Sequence, residues 1–154
     1  MPMPVIEKIS TIDDMKALLN ELHRLEAKLL FDFYGVLQDF SSKKFLPQWY
    51  QKKGIKNSFI TEKGNDVLLK IYNSKKCSLV VYDLETHDLN GLQFLAALDK
   101  KPEVKAKCKV IMVTPELTQD VKTKILNHGA NAVIGKTITE EALQNAFLKV
   151  GLDY

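Results

Sequence analysis

The chain has 154 residues, 45% hydrophobic and 27% charged, with a net charge of +3. This length and balance suit one globular domain with its own core. The charge is too mild for a nucleic-acid footprint, no apolar run approaches the roughly 18 residues that span a membrane, and the opening "MPMPVIEKIS" lacks the apolar centre of a signal peptide.

A cytoplasmic setting is expected. Cys77 and Cys108 are the only cysteines, too few for a disulfide framework or a zinc site, and both are expected to be buried and reduced. The Lys pairs at 52–53, 75–76 and 100–101 each follow an apolar helical pattern, where cations complement the negative end of a helix dipole.

Thr11 to Ala27 reads as a helix capped by Thr11, with Ile12, Met15, Leu18, Leu19, Leu22 and Leu25 at helical spacing. Strands and helices then alternate. Strands are expected at 31–38, 56–61, 78–83, 109–114 and 131–136. Helices are expected at 41–53, 64–76, 90–101, 115–129 and 137–151. Pro47 should kink the first of these or delay its start. Pro102 should stop the third, and Pro115 should open the fourth, which Gly129 follows. Thr137 or Thr139 should cap the last. Trp49 and Phe45 read as core residues.

This alternation argues for a doubly wound parallel sheet covered on both faces. In such folds ligands bind beyond the carboxyl ends of the strands. The strands close on Gln38 and Asp39, Asp83, Thr114 and Lys136. Two carboxylates at one edge can hold Mg²⁺, a hard cation that takes oxygen ligands. A carboxylate can also accept a phosphoryl group. A Lys supplies a compact positive charge for phosphoryl oxygens, and a Thr hydroxyl donates one hydrogen bond. The set spells phosphoryl transfer to an aspartate.

The segments "VLQDFSSKK", "LVVYDLETHDLNGLQFL", "VIMVTPE" and "HGANAVIGKTIT" resemble the receiver domains of bacterial two-component response regulators, especially the single-domain, chemotaxis-type ones. The resemblance covers about residues 36–150. It implies a five-stranded α/β sheet of order 2-1-3-4-5 with an extra N-terminal helix, divided as an extension over 1–27 and a receiver-like domain over 28–154. It implies that Asp83 is the phosphoacceptor, and that Asp39, Asp83 and the backbone carbonyl of Glu85 hold Mg²⁺. Thr114 would hydrogen-bond the phosphoryl group and Lys136 would pair with it. The donor would be a sensor histidine kinase or phosphotransfer protein, and output would pass to another protein. Such a chain is a signalling module rather than an enzyme, beyond self-phosphorylation and self-dephosphorylation.

Several positions depart from the family. Gln38 stands where an acid is usual, removing one charge but still able to bind a metal-bound water. Val133 replaces the switch aromatic of the last strand, and Pro115 follows Thr114 where a small residue is commoner. Thr137 replaces a proline after Lys136, which should remove a cis peptide. Glu85 and Glu116 should disfavour small anionic phosphodonors by repulsion. Gln38, Val133 and Thr137 support an alternative, a pseudo-receiver that binds partners without phosphorylation.

A third reading starts from "LLFDFYGVLQDF", which is similar to the opening motif of haloacid-dehalogenase-type phosphatases and would make Asp32 a nucleophile. Tyr34 occupies the place of that motif's second acid, and no later strand carries an acidic pair. His87, near Asp83, reads as a solvated loop residue. The apolar stripe of the N-terminal helix needs covering. Docking onto the domain is expected, with a homodimer through this helix as the alternative.

Overall fold

The computed structural model describes residues 11–152, with the side chains of 24–29 left out. Seven helices and five strands follow one another among the described residues: α1 Ile12–Leu30, β1 Phe31–Val36, α2 Phe40–Lys52, β2 Ser58–Thr61, α3 Gly64–Asn73, β3 Cys77–Asp83, α4 Gly91–Asp99, α5 Pro102–Lys105, β4 Cys108–Thr114, α6 Gln119–Asn127, β5 Ala132–Gly135 and α7 Glu140–Lys149. The strands form one sheet of order β2-β1-β3-β4-β5. Every pairing is parallel, as expected from the alternation.

Strand alternation divides the apolar residues between two cores. Phe33, Leu79, Val81, Ile111 and Val113 face α2 and α7, where Trp49, Tyr50 and Phe147 pack. Val36, Val80, Tyr82, Val110 and Met112 face α3, α4 and α6, with Val67, Phe94 and Ile125 above them. The Trp49 and Phe147 rings meet edge to face at 4.7 Å between centroids. Burial on both faces explains why β3 and β4 read as unbroken apolar runs.

Several local expectations are corrected. Pro47 lies inside a continuous α2. The buried Leu46, Trp49 and Tyr50 anchor the turns around it, and tertiary packing outweighs the lost backbone bond. Helix α6 begins at Gln119 rather than Pro115, because the Thr118 hydroxyl accepts from the Val121 amide at 3.2 Å and caps the helix there. Pro102 does not merely end a helix; it starts the short turn α5. Cys77 is only half-buried, while Cys108 is buried. The Lys136–Thr137 peptide is cis although no proline is present.

The N-terminal helix departs most. The Thr11 hydroxyl caps it through the Asp14 amide at 3.1 Å, as expected. It then runs to Leu30 and passes directly into β1 with no loop. Lacking a loop, it cannot fold back over the sheet. Ile12 stays 72% exposed, and Met15, Leu19 and Leu22 are exposed beside it. Among the described residues this face is not docked on the domain, against expectation.

Candidate functional site at the carboxyl edge of the sheet

Asp83 is the last residue of β3, flanked by β1 and β4, and is 0% exposed. Both its oxygens have partners. The Glu85 amide donates to Oδ1 at 3.2 Å, and Lys136 Nζ donates to Oδ2 at 2.6 Å. Lys136 follows β5 immediately, so its stem must cross the end of β4 to reach Asp83.

Asp39 stands between β1 and α2 and has two duties. Its Oδ2 accepts from the Ser42 amide at 2.9 Å and caps α2. Its Oδ1 pairs with Lys136 Nζ at 3.0 Å, and this buried atom has no other partner. Burial pushes the Asp39 carboxyl up, but the Ser42 bonds and Lys136 outweigh it, so its pKa falls below the ordinary value. Burial likewise pushes Lys136 down, and hydrogen bonding and charge from Asp83 and Asp39 reverse that, leaving its pKa raised.

One ammonium facing two carboxylates leaves the cluster net negative. Asp39 Oδ1, buried and facing only the Lys136 ammonium, is the kind of oxygen a hard cation takes up. Among the described residues no group of three or more His, Cys, Asp or Glu side chains converges on a metal position. One or two carboxylates, completed by carbonyl, water or phosphate oxygens, is the donor set Mg²⁺ uses. The residues fit that ion.

Thr114 closes β4 and is buried. Its hydroxyl donates to the Glu116 carbonyl at 3.3 Å. Glu85, Glu116 and His87 are exposed on the loops around Asp83. Gln38 is turned away from the metal role expected of it: its amide donates to the Glu62 carbonyl in the β2–α3 loop at 2.7 Å. Val133 is buried, and a groove of about 260 Å³ lies over β5, lined by Leu117, Val133, Ala142, Ala146 and two lysines.

Asp32 lies at the opposite, amino end of the sheet. There it accepts from Asn57 Nδ2 at 3.1 Å and Ser74 Oγ at 3.4 Å, with Lys76 at 3.8 Å. It clasps strand starts and takes no part in the cluster, which removes the dehalogenase-type reading. Sequence reasoning missed Asp88 and the β2–α3 loop. The available signal was Lys63 at the start of α3, a residue that cannot cap a helix and makes no side-chain cap bond.

A doubly wound parallel sheet with Asp39, Asp83 and Lys136 gathered at its carboxyl edge defines the receiver class of α/β domains. The chain belongs to the response regulator receiver domain family, whose profile matches residues 39–148. Its fold is similar to that of CheY in the CheX–CheY–BeF₃–Mg²⁺ complex of Borrelia burgdorferi (TM-score 0.68, 18% identity, covering 80% of this chain and 90% of that one). It is also similar to the chemotaxis protein CheY4 of Vibrio cholerae (TM-score 0.67, 18% identity, 79% and 98% covered). A third likeness is to a LuxR-family DNA-binding response regulator of Staphylococcus aureus (TM-score 0.64, 22% identity, 77% and 97% covered). No curated protein sequence matches the chain. Among the described residues no helix is long and apolar enough to cross a membrane.

Proposed function

We propose that this chain is a phosphorylation-switched receiver. Asp83 accepts a phosphoryl group from a phosphohistidine of a sensor kinase or phosphotransfer protein. An Asp83 oxygen attacks phosphorus, the N–P bond breaks, and the histidine nitrogen keeps the electron pair. The observation that carries the reading is the Lys136 ammonium set between a fully buried Asp83 and Asp39, 2.6 Å from one carboxylate and 3.0 Å from the other. Asp39, Asp83 and the Glu85 carbonyl would hold Mg²⁺, which when bound neutralises charge on the incoming phosphoryl group. Lys136 supplies a positive charge to the phosphoryl oxygens. The Thr114 hydroxyl, held by two long bonds to the Glu116 backbone, is available to turn and donate to the phosphoryl group. Hydrolysis of the acyl phosphate returns Asp83, so enzymatic action is confined to the chain's own aspartate. Glu85 and Glu116 add repulsion that slows uptake from small anionic donors.

Beryllofluoride, a phosphoryl mimic, gives the direct test. Mg²⁺-dependent binding seen by calorimetry, abolished in Asp83→Asn, supports the switch. A chain that binds neither is a pseudo-receiver, the reading favoured by Gln38, whose amide is spent on Glu62 rather than on the site. In either case output goes to a protein partner in the cytoplasm, and a net charge of +3 gives no reason to invoke nucleic acid.

The division into an N-terminal extension over residues 1–27 and a receiver over 28–154 belongs to the same proposal. Ile12, Met15, Leu19 and Leu22 recur at three-and-four spacing on one exposed face, which is the seam of a helix pair. A second copy of α1 supplies the matching seam. Light scattering of the chain lacking residues 1–27 tests this: a shift from dimer to monomer supports self-association, and an unchanged mass removes it.

A further inference from the structure

Asp88 lies outside the acid–lysine cluster, in the loop joining Asp83 to α4, yet it is the most heavily bonded carboxylate around that loop. Its Oδ1 accepts from the Gly64 amide at 3.0 Å and from its neighbour Leu89 at 2.8 Å. Its Oδ2 accepts from the Asn65 amide at 3.3 Å. Gly64 and Asn65 open α3, so Asp88 supplies from another loop the cap that Lys63 cannot. Burial pushes its carboxyl up, and these backbone donors outweigh that and hold its pKa below the ordinary value.

The same loop is stitched from its other side. The hydroxyls of Tyr82, next to Asp83, and of Thr86 both donate to the Leu89 carbonyl. The Gly91 amide closes the loop on the Leu84 carbonyl at 2.9 Å. Helix α3 sits flush against it: a Cβ on Gly64 would overlap the Tyr82 hydroxyl and come within 3.1 Å of the Leu89 carbonyl oxygen. On the far side, Gln38 Nε2 donates to the Glu62 carbonyl and Lys43 pairs with the Glu62 carboxylate. Residues 62–64 therefore touch both loops that carry site residues, the Asp39 loop through Gln38 and the Glu85 loop through Asp88.

We infer that Asp88 is a positioning residue, clamping the loop that carries Glu85 onto the start of α3, so that the β2–α3 corner braces both sides of the metal site. This rests on the receiver reading above. It gives Gln38 a duty of its own, as the second tie of the brace. Groups that orient ligands rather than bind metal still set affinity, by roughly 10–100-fold.

The test separates bracing from helix capping. Mg²⁺ affinity of the full chain is measured by calorimetry, with thermal unfolding in parallel, for the unmodified chain, Asp88→Ala, and Asp88→Ala with Lys63→Asp. Lys63 has extended backbone (φ −111°, ψ 108°), so Asp there can cap α3 by itself. The inference predicts that Asp88→Ala weakens Mg²⁺ binding roughly tenfold, and that Lys63→Asp restores unfolding temperature without restoring affinity. Recovery of both, or unchanged affinity in Asp88→Ala, overturns it and leaves Asp88 a helix cap. Should Asp88→Ala not fold, Asp88→Asn, which keeps one acceptor oxygen, is read against the same outcomes. Failure of the unmodified chain to bind Mg²⁺ overturns the phosphorylation-switch reading itself, and the inference with it.

Discussion

Replacing Lys136 by methionine keeps the length and apolar stem of the side chain and removes its charge. The ammonium it loses lies 2.6 Å from Asp83 and 3.0 Å from Asp39. Breaking a fully buried pair costs about 3–5 kcal/mol, and breaking an exposed one about 0–1 kcal/mol. Asp83 is fully buried, but the Lys136 side chain keeps 24% of its surface in water. The cost should fall between those limits, at about 2 kcal/mol near neutral pH. For a domain of this size that is roughly 4–8 °C in Tm. The cost has a signature. It comes from two carboxylates left facing each other, so it should shrink in acid as Asp39, whose pKa Lys136 helps to hold below the ordinary value, takes up a proton. It should shrink with Mg²⁺, which replaces the lost cation, and in an Asp83→Asn background, which removes one of the two charges. Urea denaturation of the four chains of this double-mutant cycle, with and without Mg²⁺ and at two pH values, measures all three effects. An equal cost in both backgrounds, unaffected by pH, would refute the reasoning.

Asp39→Ala should lose Mg²⁺ binding, the Lys136 ion pair and about 1 kcal/mol of α2 capping, whereas Asp39→Ser should lose the metal and the ion pair but keep the cap, as calorimetry and urea midpoints will report. The stability Asp39 contributes is present above its unfolded value near 3.8 and lost as pH falls through its depressed folded pKa; acid titration of Asp39→Ser should lack part of that loss. Gly64→Ala should destabilise by about 1–3 kcal/mol through the overlap with Tyr82, and adding Tyr82→Phe should cost less than the sum of the two changes. Burial pushes the Cys108 thiol up to about 12, so alkylation followed by mass spectrometry should label the half-buried Cys77 in the native chain and Cys108 only on unfolding.

What could be read from the sequence was whatever one strand or one helix expresses alone. The apolar runs of β3 and β4 end in Asp83 and Thr114, so their polarity was visible, and with it the edge on which Asp39, Asp83 and Lys136 gather, while the strand order came only with the family resemblance. Helix starts were less legible, because two residues competed to mark them. Pro115 looked like the opening of α6, but the Thr118 hydroxyl decides it. Pro47 looked disruptive, but the aromatic packing of Trp49 and Tyr50 overrides it. The face of α1 was read correctly as apolar, yet its fate depends on the absence of a loop before β1. Gln38 and Asp88 were illegible for a different reason. Their partners, Glu62 and Gly64, are both 24 residues away in the chain, and no local pattern encodes a bond formed only when parallel strands bring loops together.

The central claim is that Asp83 takes up a phosphoryl group. Intact mass of the full chain is recorded after exposure to Mg²⁺ and a phosphorylated histidine-kinase domain, alongside Asp83→Asn. The account predicts one added phosphoryl group on the unmodified chain and none on Asp83→Asn. Uptake by both, or by neither from any donor tried, would contradict it.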